Sequence, residues 1–95
     1  MSNLSRIVLT KKAQKDVLKV PSHIKTKLLL WVSSVELFGI QKMRTVPGYF
    51  DKALKGDRFG QRSIRLSRGY RAFYSVSREK NIELISIEEV NKHEY

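Results

Sequence analysis

The apolar positions of the chain change period along its length. Around residues 6–10 the β-branched Ile7 and Val8 mark a short strand. Thr10 then stands where a helix N-cap is expected, its hydroxyl placed to accept from a free backbone N–H. Lys11–Lys19 reads as a helix that turns Ala13, Val17 and Val20 inward. Pro21 interrupts it, because proline cannot continue a helix from within. A longer helix is predicted from Pro21 or Ser22. Ile24, Leu28, Trp31, Val35 and Phe38 fall on one face of it, and Gly39 ends it. Trp31 is expected in the core.

After that helix the period is lost. Gln41–Asp57 reads as irregular, with Pro47, Gly48 and Gly56 as turn signals. Alternation with period two returns over Gln61–Ser67, where Ile64 and Leu66 flank Arg65 and so leave it on the opposite face. Gly69 makes a tight link to a second strand over Tyr70–Ser77, which predicts an antiparallel hairpin. Asn81 supplies the next turn. Ile82–Ile87 is a third strand, apolar enough on both faces for a central position. The expected fold is α+β: one domain over residues 1–95 with an N-terminal strand, two helices and then a mostly antiparallel sheet.

Composition narrows the partners. The chain has 95 residues, 41% of them hydrophobic, and no cysteine. A disulfide scaffold, a zinc ribbon and a cysteine nucleophile are therefore excluded. His23 and His93 are the only histidines, with no ligand-spaced neighbour, and there is no phosphate-cradling glycine loop, so no metal or cofactor is expected. The longest apolar run, Leu28–Val32, is too short to span a bilayer, and no signal segment opens the chain. A cytoplasmic protein with no membrane partner is expected.

The net charge is +10, and it is unevenly spread. Residues 41–78 carry ten Lys or Arg against two acids, whereas residues 79–95 carry two against five. Arginine dominates the middle: Arg58, Arg62, Arg65, Arg68, Arg71 and Arg78. Its planar fork binds phosphate oxygens in pairs, so a polyanionic partner is expected there. Arg65 and Arg71, on the two strands of the hairpin, can face the same side. Like charges so placed are tolerated most easily where they bind an anion together. The bland alternative has them solvated, or paired with Glu83, Glu88 or Glu89. Lys52 and Lys55 precede the hairpin. His93 and Tyr95 follow the last strand, in a tail that can return to the same face if that strand lies beside the hairpin.

The runs Leu54-Lys55-Gly56-Asp57, Ser63-Ile64-Arg65-Leu66 and Gly69-Tyr70-Arg71-Ala72-Phe73-Tyr74 resemble the RelE/HigB/YoeB superfamily of toxins from type II toxin–antitoxin pairs. The resemblance spans nearly the whole chain in element order. It implies a metal-independent endoribonuclease that enters the ribosomal A site and cuts mRNA by attack of a 2′-hydroxyl on the adjacent phosphate. It implies catalytic roles for Arg65, Arg71, His93 and Tyr95, with His93 transferring a proton and Tyr95 orienting the phosphate or stacking on a base. Lys52, Lys55, Arg62 and Arg68 would contact RNA phosphates. The general base stays open. Arg65 stands where the family often has lysine, arginine does not deprotonate, and only Asp51 and Asp57 lie near the glycine turn. The resemblance also implies an acidic antitoxin partner. Two other functions fit the same fold: a non-enzymatic ParE-type inhibitor of DNA gyrase, and a binding module that has lost activity.

Overall fold

A computed structural model describes residues 4–92 of the chain. Its elements follow the order β1 (Leu4–Leu9), α1 (Lys11–Lys19), α2 (Ser22–Phe38), α3 (Ile40–Met43), β2 (Lys52–Ala53), β3 (Arg62–Ser67), β4 (Tyr70–Glu79) and β5 (Ile82–Lys92). The sheet order is β1-β5-β4-β3-β2, parallel between β1 and β5 and antiparallel elsewhere. The α+β reading holds.

The N-terminal half follows local chemistry closely. The Thr10 hydroxyl accepts from the Ala13 N–H at 3.1 Å and starts α1, as expected of a capping threonine. The same hydroxyl donates to the Glu88 carbonyl at 2.9 Å, and Asp16 accepts from the Val90 N–H at 3.0 Å. These bonds tie α1 to β5 where the β4–β5 register shifts near Phe73 and Tyr74. Such an irregularity leaves ladder groups unpaired, and α1 supplies partners for two of them.

Helix α2 buries Ile24, Leu28, Trp31 and Val35, as its spacing requires. Phe38 departs from the expected stripe and is exposed, as are Leu29, Leu30 and Leu37. The reason is Gly39. At φ 85 it occupies a backbone region that disfavours other residues, and it redirects the chain into α3 before the last turn of α2 can pack. Ile40 and Met43 of α3 fill the core place instead. Trp31 packs against Tyr74 with ring centroids 5.0 Å apart, joining helix to sheet at the centre.

The segment expected to be irregular contains more structure than its sequence announces: α3, a single helical turn over Pro47–Tyr49, the two-residue β2, and another turn over Gly56–Arg58. β2 is too short to show a period. β5 runs five residues beyond the expected Ile87, to Lys92. It lies between β1 and β4, the central place expected of it, although Ile82 at its start is exposed.

The two faces of the sheet differ. Ile64, Leu66, Ala72, Tyr74, Ile85, Ile87 and Val90 face the helices and form the core. The other face is uncovered by helix and carries Ser63, Arg65, Arg71, Phe73, Glu89 and Asn91, matched across the strands by the register.

Candidate nucleic-acid interface

Alternation in β3 and β4 decides which arginines meet. Arg65 and Arg71 are direct cross-strand partners, and Asn91 of β5 lies opposite Arg71 on the other side. In the neighbouring row, Lys52 of β2 lies opposite Ser63, Ser63 opposite Phe73, and Phe73 opposite Glu89. Three of the residues singled out from sequence, Arg65, Arg71 and Lys52, are thus assembled on one face.

The carboxylates that could have quenched this pair are engaged elsewhere. Glu83 accepts from Arg78 at 2.7 Å and from the Ser5 hydroxyl at 3.3 Å. Glu89 accepts from Arg58 at 3.1 Å, and Glu88 accepts from the Ser86 hydroxyl at 2.5 Å. The Arg71 Nη1 and the Ser63 Oγ are both buried without a hydrogen-bond partner among the described residues. A buried unpaired donor is costly, and more so when charged. Two such groups lie on one face, beside a second guanidinium, and both could bond an oxygen atom.

Arg65 is held from below. Its Nε donates to the Ser67 carbonyl at 3.4 Å, and its guanidinium lies 5.1 Å from the centre of the Phe50 ring. Phe50 adopts a left-handed backbone, φ 46 and ψ 48, which is strained for a bulky residue. Strain of this kind is kept where the surrounding structure enforces it, often beside functional groups. Arg65, Phe50, Arg68 and Lys27 together line a pocket of about 270 Å³ at the β3–β4 turn. Lys27 lies 4.8 Å from the Tyr49 ring centre. Burial pushes the Tyr49 hydroxyl above its ordinary pKa, so it stays protonated.

The remaining assigned residues divide. Arg68, in the hairpin turn, joins Arg65 at that pocket. Lys55 is exposed in the connection between β2 and β3. Arg62 lies on the opposite face, in register with Tyr74 and facing the helices. There its Nε donates to the fully buried Asp51 carboxylate at 2.6 Å. Desolvation works against the Arg62 charge, but the Asp51 hydrogen bond and charge outweigh it and hold its pKa above the ordinary value. The Tyr74 hydroxyl donates to the other Asp51 oxygen. Burial first, and then the bond and charge of Asp51, raise the Tyr74 pKa far above normal; Arg44 beside it opposes this. Asp51 is therefore a structural anion behind the sheet and stands away from the Arg65–Arg71 pair. His93 and Tyr95 lie outside the described residues. β5 carries the chain to Lys92, which pairs with Tyr70, the neighbour of Arg71.

Sequence inspection missed the parts played by Arg58, Phe73 and Glu89. The Arg58 guanidinium stacks 4.0 Å from the centre of the Phe73 ring, donating to Gln61 at 2.9 Å and to Glu89 at 3.1 Å. Phe73 reads as apolar filler, and Glu89 is 31 residues from Arg58, so no local pattern could have joined them. Among the described residues no group of three or more His, Cys, Asp or Glu side chains is arranged to hold a metal, and no helix is long and apolar enough to cross a membrane.

No family model and no curated protein sequence matches the chain. Solved structures do. A YoeB/ParE toxin from Agrobacterium tumefaciens superposes with a TM-score of 0.73 at 17% identity, covering 94% of this chain and 99% of that one. YafQ from Escherichia coli strain BL21(DE3) gives 0.75 at 15% identity, covering 94% and 93%. The YoeB–YefM complex from Staphylococcus aureus gives 0.68 at 20% identity, covering 98% and 100%. Across nearly its whole length, from the N-terminal strand through the helices to the mixed five-stranded sheet, the chain has the RelE-like α+β fold of these toxins.

Proposed function

We propose that this chain is the toxin of a type II toxin–antitoxin pair and acts as a ribosome-dependent mRNA endonuclease. The observation that carries the reading is the Arg65–Arg71 cross-strand pair, which makes no carboxylate bond among the described residues and places a buried unpartnered guanidinium nitrogen beside a second arginine. Such a pair matches a phosphate whose negative charge grows during reaction. The structural neighbours named as toxins or toxin–antitoxin complexes support the same reading.

In this scheme the RNA lies on the open face. The 2′-hydroxyl attacks the adjacent phosphorus, its proton passing to a base, and the 5′-oxygen leaves as it takes a proton. Arg65 and Arg71 hold the phosphate, and Lys52 and Arg68 carry flanking phosphates, with Lys55 on the approach. His93 follows directly on Lys92, which pairs beside Arg71, and is the proton-transfer group; Tyr95 orients the phosphate or stacks on a base. The partner is an antitoxin with an acidic segment. Exposed Leu29, Leu30, Leu37 and Phe38 on α2 add apolar surface for it to cover.

The test is brief induction followed by primer extension on cellular mRNA. Cleavage on translated messages is expected, and it should be lost in Arg71→Ala and His93→Ala. Wild-type cleavage in both variants would overturn the site. Intact mRNA with damaged DNA would instead favour a gyrase inhibitor.

A further inference from the structure

A second cluster of arginines, on the other face of the sheet, is built like a ligand site. Arg44 and Arg62 line a cavity of about 280 Å³ together with Ala53, Leu54, Gln61 and Phe59. Behind it, buried Asp51 fixes Arg62 through Nε and is itself bonded to the Tyr74 hydroxyl. With Nε committed, the terminal nitrogen pair of Arg62 is what remains for a ligand. Arg44 stands beside the same Tyr74 hydroxyl, and its Nε is buried without a hydrogen-bond partner among the described residues. The Asp51 carboxylate is taken up by Arg62, whereas Arg44 donates through Nη1 to the neutral Gln41 side chain at 3.4 Å and forms no ion pair among the described residues, leaving an excess positive charge at the cavity wall. That charge is held in place by buried groups, which lowers the cost of ordering it on binding.

The rest of the lining says which anion fits. Phe59 is 84% exposed at the rim, more than any other large apolar residue described. A bare aromatic ring beside fixed arginines suits a base stacked next to its phosphate. Gln61 gives its side-chain oxygen to Arg58, which leaves its amide hydrogens as donors. Arg58 also connects this cavity to the open face, since its other nitrogen reaches Glu89 while its guanidinium covers Phe73. Arg62 and Arg65 are three residues apart on β3, about 10 Å along the strand. One polynucleotide can follow the cations from Arg71 and Arg65, past Arg58 and around the sheet edge at β2, to Arg62 and Arg44.

We infer that the Arg44–Arg62 cavity is a second RNA subsite, taking one backbone phosphate on its arginines and a neighbouring base on Phe59, and gripping the message away from the scissile phosphate. This rests on the proposed RNA-handling function.

The experiment is equilibrium binding by fluorescence anisotropy with 2′-O-methyl RNA, which cannot be cleaved. A trinucleotide is compared with a strand of about twelve nucleotides. Arg44→Gln should weaken the long strand about tenfold and lower the slope of affinity against salt by about one. Phe59→Ala, a change at an exposed side chain that leaves the core intact, should weaken it about fivefold. Neither should alter the trinucleotide, whereas Arg71→Ala should weaken both. Unchanged affinity and salt slope for the long strand in both variants, with Arg71→Ala still impaired, overturns the subsite alone. So does unchanged RNA binding alongside weakened binding of an acidic peptide, which would assign the cavity to a protein partner. Wild-type protein that binds neither strand overturns the RNA-handling reading as well.

Discussion

Two pairs of arginines stand on opposite faces of one sheet and are treated in opposite ways. Arg65 and Arg71 face each other with their potential acids bonded elsewhere. Arg62 is bonded to Asp51, a carboxylate with no exposed surface, and Arg44 stands beside the Tyr74 hydroxyl that the same carboxylate accepts from. A like-charge pair kept without a counter-ion destabilises the free protein and readies it for an anion. A cation bonded to a buried carboxylate instead anchors the segment that carries the carboxylate. In this chain that segment is the stretch between α3 and β2, whose own backbone bonds are confined to local turns. The same residue type thus stands without a counter-ion on one face and anchored on the other, and the neighbouring acid makes the difference.

The sharpest test of this contrast is Asp51→Ala. It leaves Arg62 charged and unpaired next to the core and removes the acceptor of Tyr74. Breaking such a pair should cost about 3 kcal/mol or more in urea unfolding. A loss below about 1 kcal/mol, the range of surface pairs, would show that Asp51 is no anchor. Next in size is Arg71→Ala, expected to lower single-turnover cleavage about a hundredfold or more while leaving the fold intact. A variant that unfolds would place Arg71 with the anchoring pair instead.

Tyr74→Phe should cost about 1 kcal/mol at neutral pH, the net worth of its bond to Asp51. It also has a pH signature. The Tyr74 pKa is raised in the folded protein above its ordinary 10.0, so the folded state holds this proton more tightly than the unfolded state does. The resulting stability is complete below the ordinary tyrosine pKa and is lost as pH rises through the raised folded value. Urea midpoints of the wild type should therefore fall above about pH 10, and those of Tyr74→Phe should fall less steeply. Equal slopes would refute the coupling. The smallest effect is expected from Arg65→Gln: removing one of two facing like charges should leave stability unchanged or raise it by up to about 1 kcal/mol.

Much of the fold was legible because it is encoded locally. Thr10 caps α1, the apolar spacing of α2 selects Ile24, Leu28, Trp31 and Val35, and Gly69 closes the hairpin. What was illegible depends on distant partners. β2 has two residues and exists only because β3 pairs with it. β5 continues through Glu88 and Glu89, whose charges look like the end of a strand, because α1 and Arg58 bond to groups there. Phe38 fits the helical stripe but sits one residue before the turn at Gly39, where packing has already ended.

The candidate site divides along the same line. The sequence by itself determined that Arg65 points away from Ile64 and Leu66, and that a tight hairpin lets Arg71 face the same side, because side-chain direction in a strand is a local property with period two; the register shift between Arg65 and Ser67 is what sets the two directly opposite. The same alternation places Arg62 on the apolar side, where a charge requires a partner. Only the tertiary structure decided that this partner is Asp51, that Glu89 is engaged by Arg58, and that no carboxylate among the described residues bonds Arg65 or Arg71. Whether a charge is neutralised or free depends on which groups the folded chain brings within bonding distance. Residues far apart in sequence settle that, and no local pattern records it.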